Sequence, residues 1–155
     1  MKRLATVLIL LCGIAGLQGA AAGAEKAAAT PAIAAPATPA TARTRVVFQV
    51  SDNDEAKWNL ALNNVKNVQA ALGADNVDIE IVAYGPGINM LKFDAPVGNR
   101  IQAALQARVK VAACENTMEA QKLRKEDMLP AISYVPAGIV EIIRLQQQGY
   151  AYIRP

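Results

Sequence analysis

The amino-acid sequence predicts an α/β fold between Arg45 and Pro155, a three-layer α/β/α sandwich with a mostly parallel five-stranded sheet. Three observations carry this. Strand-like segments such as Val46-Val47-Phe48-Gln49-Val50 are nearly continuous in apolar, β-branched residues, as strands covered on both faces are. Between them lie segments with apolar residues at three- and four-residue spacing. The two kinds of segment alternate through the domain, which favours right-handed parallel crossovers over hairpins.

Each element has its own local justification. After the first strand, Ser51-Asp52-Asn53-Asp54 supplies capping side chains, and Trp58, Leu62, Val65, Val68 and Leu72 recur on one helical face until Gly73 ends the helix. Val77 to Tyr84 is the second strand, broken by Gly85-Pro86-Gly87. Val97, Ile101 and Leu105 mark a second helix, and Val109 to Ala113 a third strand. A third helix is expected from Asn116 to about Lys125, with Asn116 or Thr117 as its cap. Ile132 to Val135 is strand four. Pro136 opens a helix from Ala137 to Gln148 that Gly149 closes, and Tyr150 to Arg154 is the last strand.

Two segments precede this domain. Met1-Lys2-Arg3, the apolar run Leu4 to Leu17 and the small residues Ala22-Gly23-Ala24 form a secretory signal peptide over residues 1–24, too short and wrongly flanked for a membrane span. Residues 25–44 are rich in Ala, Pro and Thr, with Pro31, Pro36 and Pro39 and no aromatic residue. This composition cannot bury enough apolar surface to order itself and reads as a flexible tether. The mature chain is therefore expected in a bacterial periplasm, with no membrane association once the signal is removed.

Composition excludes several chemistries. With no histidine, Ser–His and Cys–His nucleophiles are absent and the commonest metal ligand is missing. The whole chain carries +3, from 16 basic and 13 acidic residues. Loss of Lys2 and Arg3 leaves 14 against 13, or +1, which gives nucleic-acid binding little support. Cys12 leaves with the signal, so Cys114 stands alone and has no internal disulfide partner.

In open parallel sheets, ligands bind beyond the carboxyl ends of the strands. Those ends are Ser51–Asp54, Tyr84–Asn89, Cys114–Thr117, Pro136–Gly138 and Arg154. Cys114 also precedes a helix, whose N–H groups and dipole favour a thiolate, while the carboxylate of Glu115 opposes one. The residues thus leave Cys114 as either a working thiol or a buried strand-end hydrophobe. A redox sensor that forms an intermolecular disulfide is a third possibility. Asp52, Asp54 and Glu55 suit helix capping better than a metal site. Gly85-Pro86-Gly87 lacks the third glycine of a dinucleotide fingerprint and reads as a turn or ligand-shaping loop. The Asn59, Asn63, Asn67 row reads as a solvated face or, alternatively, a subunit interface.

V-V-F-Q-V-S-D, I-V-A-Y-G-P-G-I, V-A-A-C-E-N-T-M and V-P-A-G-I-V-E-I-I-R-L-Q-Q-Q-G-Y-A-Y-I together resemble the DsrE/DsrF-like family, which includes the TusD-type sulfur-relay subunits. The resemblance implies an α/β/α fold and homo- or hetero-oligomers. It also implies a cysteine at the end of the third strand that accepts sulfane sulfur as a persulfide and passes it on; Cys114 matches that place. On this reading Cys114 is catalytic and Asp52, Asn53, Gly85, Gly87 and Asn116 shape the substrate pocket. No metal or other cofactor is required. The partners are a small sulfane-sulfur compound or a donor and acceptor protein. The alternative is a non-catalytic ligand-binding or assembly module of the same fold, with Cys114 structural.

Overall fold

The computed structural model describes residues 43–155. The predicted signal peptide and nearly all of the tether lie outside the described residues. The elements run β1 (Thr44–Val50), α1 (Glu55–Leu72), β2 (Val77–Ala83), a 3₁₀ helix (Gly85–Leu91), α2 (Gly98–Gln106), β3 (Lys110–Cys114) and α3 (Glu115–Ala120). A 3₁₀ turn (Lys125–Asp127), β4 (Ser133–Val135), α4 (Gly138–Gln147) and β5 (Ala151–Ile153) follow. All five strands are parallel, in the order β4-β3-β2-β1-β5.

This order dictates the layers. From β1 to β4 each crossover steps the same way across the sheet, so right-handed connections put α1, α2 and α3 on one face. The connection from β4 to β5 runs back over the whole sheet, so α4 lies on the other. The buried residues divide accordingly. Val46, Phe48, Val50, Ile79 and Ile81 pack with Trp58, Leu62 and Val65 in the larger core. Val47, Val82 and Ala112 pack with Ile142 and Leu145 of α4 in the smaller one.

Local chemistry explains the ends of α1. The Asp54 carboxylate accepts from Ala56 N–H (2.8 Å) and Lys57 N–H (3.3 Å), satisfying two first-turn donors. The Trp58 indole N–H donates to Asp52 O (2.7 Å) and so ties the β1–α1 turn to the helix it opens. At the far end Gly73 has φ +84° and returns its N–H to Gln69 O. Asn59 and Asn63 do not simply face solvent: their side-chain oxygens both accept from the Arg100 guanidinium and join α1 to α2.

Three expectations need correction. The third helix stops at Ala120 rather than near Lys125. Lys122 adopts φ +57°, and Leu123 N–H returns to Met118 O (2.8 Å), closing the helix so that Leu123 packs against the larger core. Neither Asn116 nor Thr117 caps that helix; Cys114 is the cap residue and makes no side-chain cap bond. The Gly-Pro-Gly break continues into a seven-residue 3₁₀ helix that buries Ile88, Met90 and Leu91.

Candidate functional site

Cys114 ends β3 on the α4 face, opposite Val135 in the β3–β4 register, and is 5% exposed. Burial alone pushes its thiol toward the neutral form. The Thr117 hydroxyl and the backbone N–H groups of Gly138, Thr117 and Asn116 lie near the sulfur and favour its charged form more than burial disfavours it, although the first-turn N–H groups of α3 make no cap hydrogen bond to it, so the thiol is held below its ordinary pKa. These donors come from two elements, the first turn of α3 and the first residue of α4.

Each donor is itself held in place. Gly85, at φ +54°, gives its N–H to Thr117 Oγ1 at 2.9 Å. A hydroxyl that accepts in this way has its single proton free to donate, and Thr117 is the leading group that lowers the thiol's pKa. The Gln121 side-chain amide closes the link by donating to Gly85 O (3.2 Å). Asn116 N–H also reaches Pro136 O at 3.1 Å, joining α3 to the end of β4. Gly138 fits because it has no side chain: a Cβ there would lie 3.0 Å from Tyr84 Cβ and 3.3 Å from Cys114 Cβ. Glu115 pairs with Lys125 Nζ at 3.5 Å, so its charge has a cationic partner outside the thiol's set of donors.

A cleft of about 370 Å³ lies over α3, walled by Glu115, Asn116, Met118, Leu123, Lys125 and Pro136; Cys114 itself does not line it. The rest of the carboxyl edge is a polar network on β1, β2 and β5. Gln49, 6% exposed, accepts from Tyr152 Oη (2.6 Å) and donates to Ser51 Oγ (3.2 Å). Asp52 meets Lys57 Nζ at 3.3 Å and Arg154 Nη2 at 3.4 Å; Lys57 first, then Arg154, hold its carboxyl below the usual range.

The residues expected to shape a pocket occupy distinct places. Asn116 and Gly85 join the thiol's own network, Asn116 by its N–H and Gly85 through Thr117. Asp52 sits in the ion pairs just described, and Asn53 accepts from the Asn89 side-chain amide (3.2 Å). Gly87 is buried against β1: a Cβ would come within 2.5 Å of Val50 O, and its N–H donates to Ser51 O at 3.1 Å. Thr117 and Gly138 were not expected as partners of the thiol. Thr117 reads as a cap from its place after the strand, and its spacing of three from Cys114 is the one signal of its role. Gly138 announces itself only as a glycine where helix formers are usual. Among the described residues no group of three or more carboxylates or thiols is arranged to hold a metal.

This network makes Thr117 a positioning residue. Thr117→Val is expected to raise the thiol pKa and to leave Gly85 N–H unpaired, lowering stability by about 1–3 kcal/mol. Thr117→Ser should restore both. Thiolate absorbance against pH, with a thermal melt of each variant, checks this; an unchanged titration in Thr117→Val contradicts it.

Comparison with known proteins agrees with this architecture. The family model described as the DsrE/DsrF-like family matches residues 44–155. The structure is similar to that of the MTH1491 protein of Methanobacterium thermoautotrophicum, with a TM-score of 0.70 and 37% identity over 72% of this chain and 99% of that one. The Escherichia coli YchN protein (TM-score 0.60, 9% identity, 73% and 99% covered) and BT1422 of Bacteroides thetaiotaomicron (TM-score 0.60, 15% identity, 72% and 94% covered) share the fold. No curated protein matches the chain. With the five-stranded parallel sheet, the match across the whole folded region and the identity to MTH1491, the chain belongs to the DsrE/DsrF-like family.

Proposed function

We propose that this protein is a periplasmic sulfur carrier of a family associated with sulfur relay, accepting sulfane sulfur on Cys114. The observation that carries the reading is the packing of Gly138 against a buried thiol at the carboxyl edge, where a Cβ on Gly138 would lie 3.3 Å from Cys114 Cβ, together with the nearby Thr117 hydroxyl and backbone N–H groups that lower the thiol's pKa. Hydrogen bonds to the charged form favour thiolate without histidine or a metal. The Cys114 thiolate attacks the outer sulfur of a donor persulfide. A new S–S bond forms, the donor's S–S bond breaks, and the donor leaves as a thiolate, with Cys114 now a persulfide. Attack on the terminal sulfur by an acceptor thiolate returns Cys114 to the thiolate, and the donors that stabilise this anion make it a good leaving group. Residues 1–24, with their basic start, apolar run and small-residue end, support export.

Intact mass spectrometry of the purified protein after exposure to polysulfide or thiosulfate tests the chemistry. One added sulfur atom is expected on the protein and none on Cys114→Ser. Absence of the adduct, or its persistence in Cys114→Ser, overturns the reading.

A second reading, an assembly module, is favoured by the outer side of α4. Ile139, Val140 and Ile143 are 50%, 60% and 49% exposed there, an apolar stripe that a second copy would cover. Light scattering should then give an oligomer whose mass falls toward that of the monomer in Val140→Glu. An oligomer of unchanged mass contradicts this surface as the interface.

A further inference from the structure

Cys114 is 5% exposed, and the cleft over α3 does not include it. Thiol exchange depends on access to the sulfur, so the layer over it has to open. On the side of α4 that layer is backbone: a Cβ on Gly138 would lie 3.3 Å from Cys114 Cβ and 3.0 Å from Tyr84 Cβ. The helical turn that begins there is weakly held. Ala137, its N-cap residue, makes no side-chain cap bond. Of Gly138, Ile139, Val140 and Glu141, only Gly138 is fully buried, and it has no side chain to pack. Ile139 and Val140 are exposed, and the half-buried Glu141 pairs with Arg144 of its own helix, Nε to Oε2 at 2.8 Å. The sheet under α4 is not wholly apolar either: Glu80 of β2, 5% exposed, lies on that face in register with Val47.

Both sides of this turn, by contrast, are fixed. Upstream, Val135 pairs in register with Cys114, and Asn116 N–H donates to Pro136 O at 3.1 Å. Downstream, Ile142 and Leu145 are buried in the smaller core, and Arg45 donates to Gln148 O at 2.8 Å. We infer that the first turn of α4, residues 138–141, is a lid over Cys114, closed in this structure, that unwinds while Ile142 and Leu145 keep the rest of the helix on the sheet. Opening breaks the bond from Glu141 N–H to Ala137 O (3.0 Å) and withdraws no fully buried side chain from either core. Segments with so few buried contacts are the ones that open well before the fold as a whole.

The lid ties access to reactivity. Closed, it sets Gly138 N–H beside the sulfur, among the groups that lower the thiol's pKa. Open, it gives a donor or acceptor sulfur the side of Cys114 that Gly138 covers. The Thr117 hydroxyl and the α3 N–H groups belong to a different element and stay with the sulfur when α4 opens. The lid's part in sulfur transfer rests on the sulfur-carrier reading, but the opening itself does not.

Alkylation of Cys114 by iodoacetamide in the full chain, read by peptide mass spectrometry, tests this without any sulfur donor, so its failure is separable from failure of sulfur loading. The rate at Cys114 is expected to stay nearly level as urea rises to the foot of the unfolding transition, because the opening exposes little surface. Two variants separate the lid from unfolding of the whole domain. Asp54→Ala removes the cap of α1, on the opposite face of the sheet, and lowers global stability; the alkylation rate should not change. Ala137→Ser puts a hydroxyl at an N-cap already in the extended conformation (φ −142°, ψ 113°), where it accepts from a first-turn N–H and holds the lid shut; the rate should fall about fivefold. A rate that climbs with urea along the global unfolding slope, a rate raised in Asp54→Ala, or a rate unmoved in Ala137→Ser overturns the inference.

Discussion

Gly138 lies where the sheet, α3 and α4 meet, and the space a Cβ would take there is already filled by Tyr84 and Cys114. That close approach brings the backbone at the start of α4 beside the thiol at the end of β3, where its N–H helps lower the thiol's pKa. Much of the site depends on it. The β4–α4 connection must deliver its first helical residue beside β3, so Pro136 and the short β4 are constrained. Tyr84 must follow β2 on the same face. A buried thiol with no donors would be an inert packing group. Here the Thr117 hydroxyl and nearby N–H groups offset the burial and lower the thiol's pKa.

Much of this framework is legible in the residues, for physical reasons. Runs such as Val46–Val50 are apolar because both faces of a parallel strand are covered, and the spacing of Trp58, Leu62 and Val65 reports one buried helical face. Strand direction alone puts Cys114 on the carboxyl edge. The limits are equally physical. α3 ends early because Leu123 is drawn into the core through a left-handed Lys122, a tertiary demand that overrides helical spacing. Thr117 has the composition of a cap, and only the fold brings Gly85, 32 residues away in sequence, to donate its N–H to that hydroxyl. Glu80 sits in an alternating strand where an acid ordinarily signals solvent. Its burial follows from α4 crossing the sheet, which no local pattern encodes.

Without histidine, a thiol's pKa can still be lowered by nearby O–H and N–H groups. The Thr117 hydroxyl first, then the nearby backbone N–H groups, lower the thiol's pKa in a composition that holds no histidine. Glu115, the adjacent carboxylate that seemed set to oppose a thiolate, is instead turned to Lys125. The family assignment and the similarity to MTH1491 establish the fold and the kinship, and the arrangement around Cys114 gives that kinship a chemical meaning in this chain.

The central claim is that Cys114 is held as a thiolate by its donors rather than silenced by burial. The most direct measurement is the titration of its thiolate absorbance in the folded protein beside an unstructured peptide carrying the same Ala-Ala-Cys-Glu-Asn-Thr segment. The account predicts that the folded thiol ionises at lower pH than the peptide. Ionisation at the same or higher pH would mean that burial wins and that Cys114 is a packing residue.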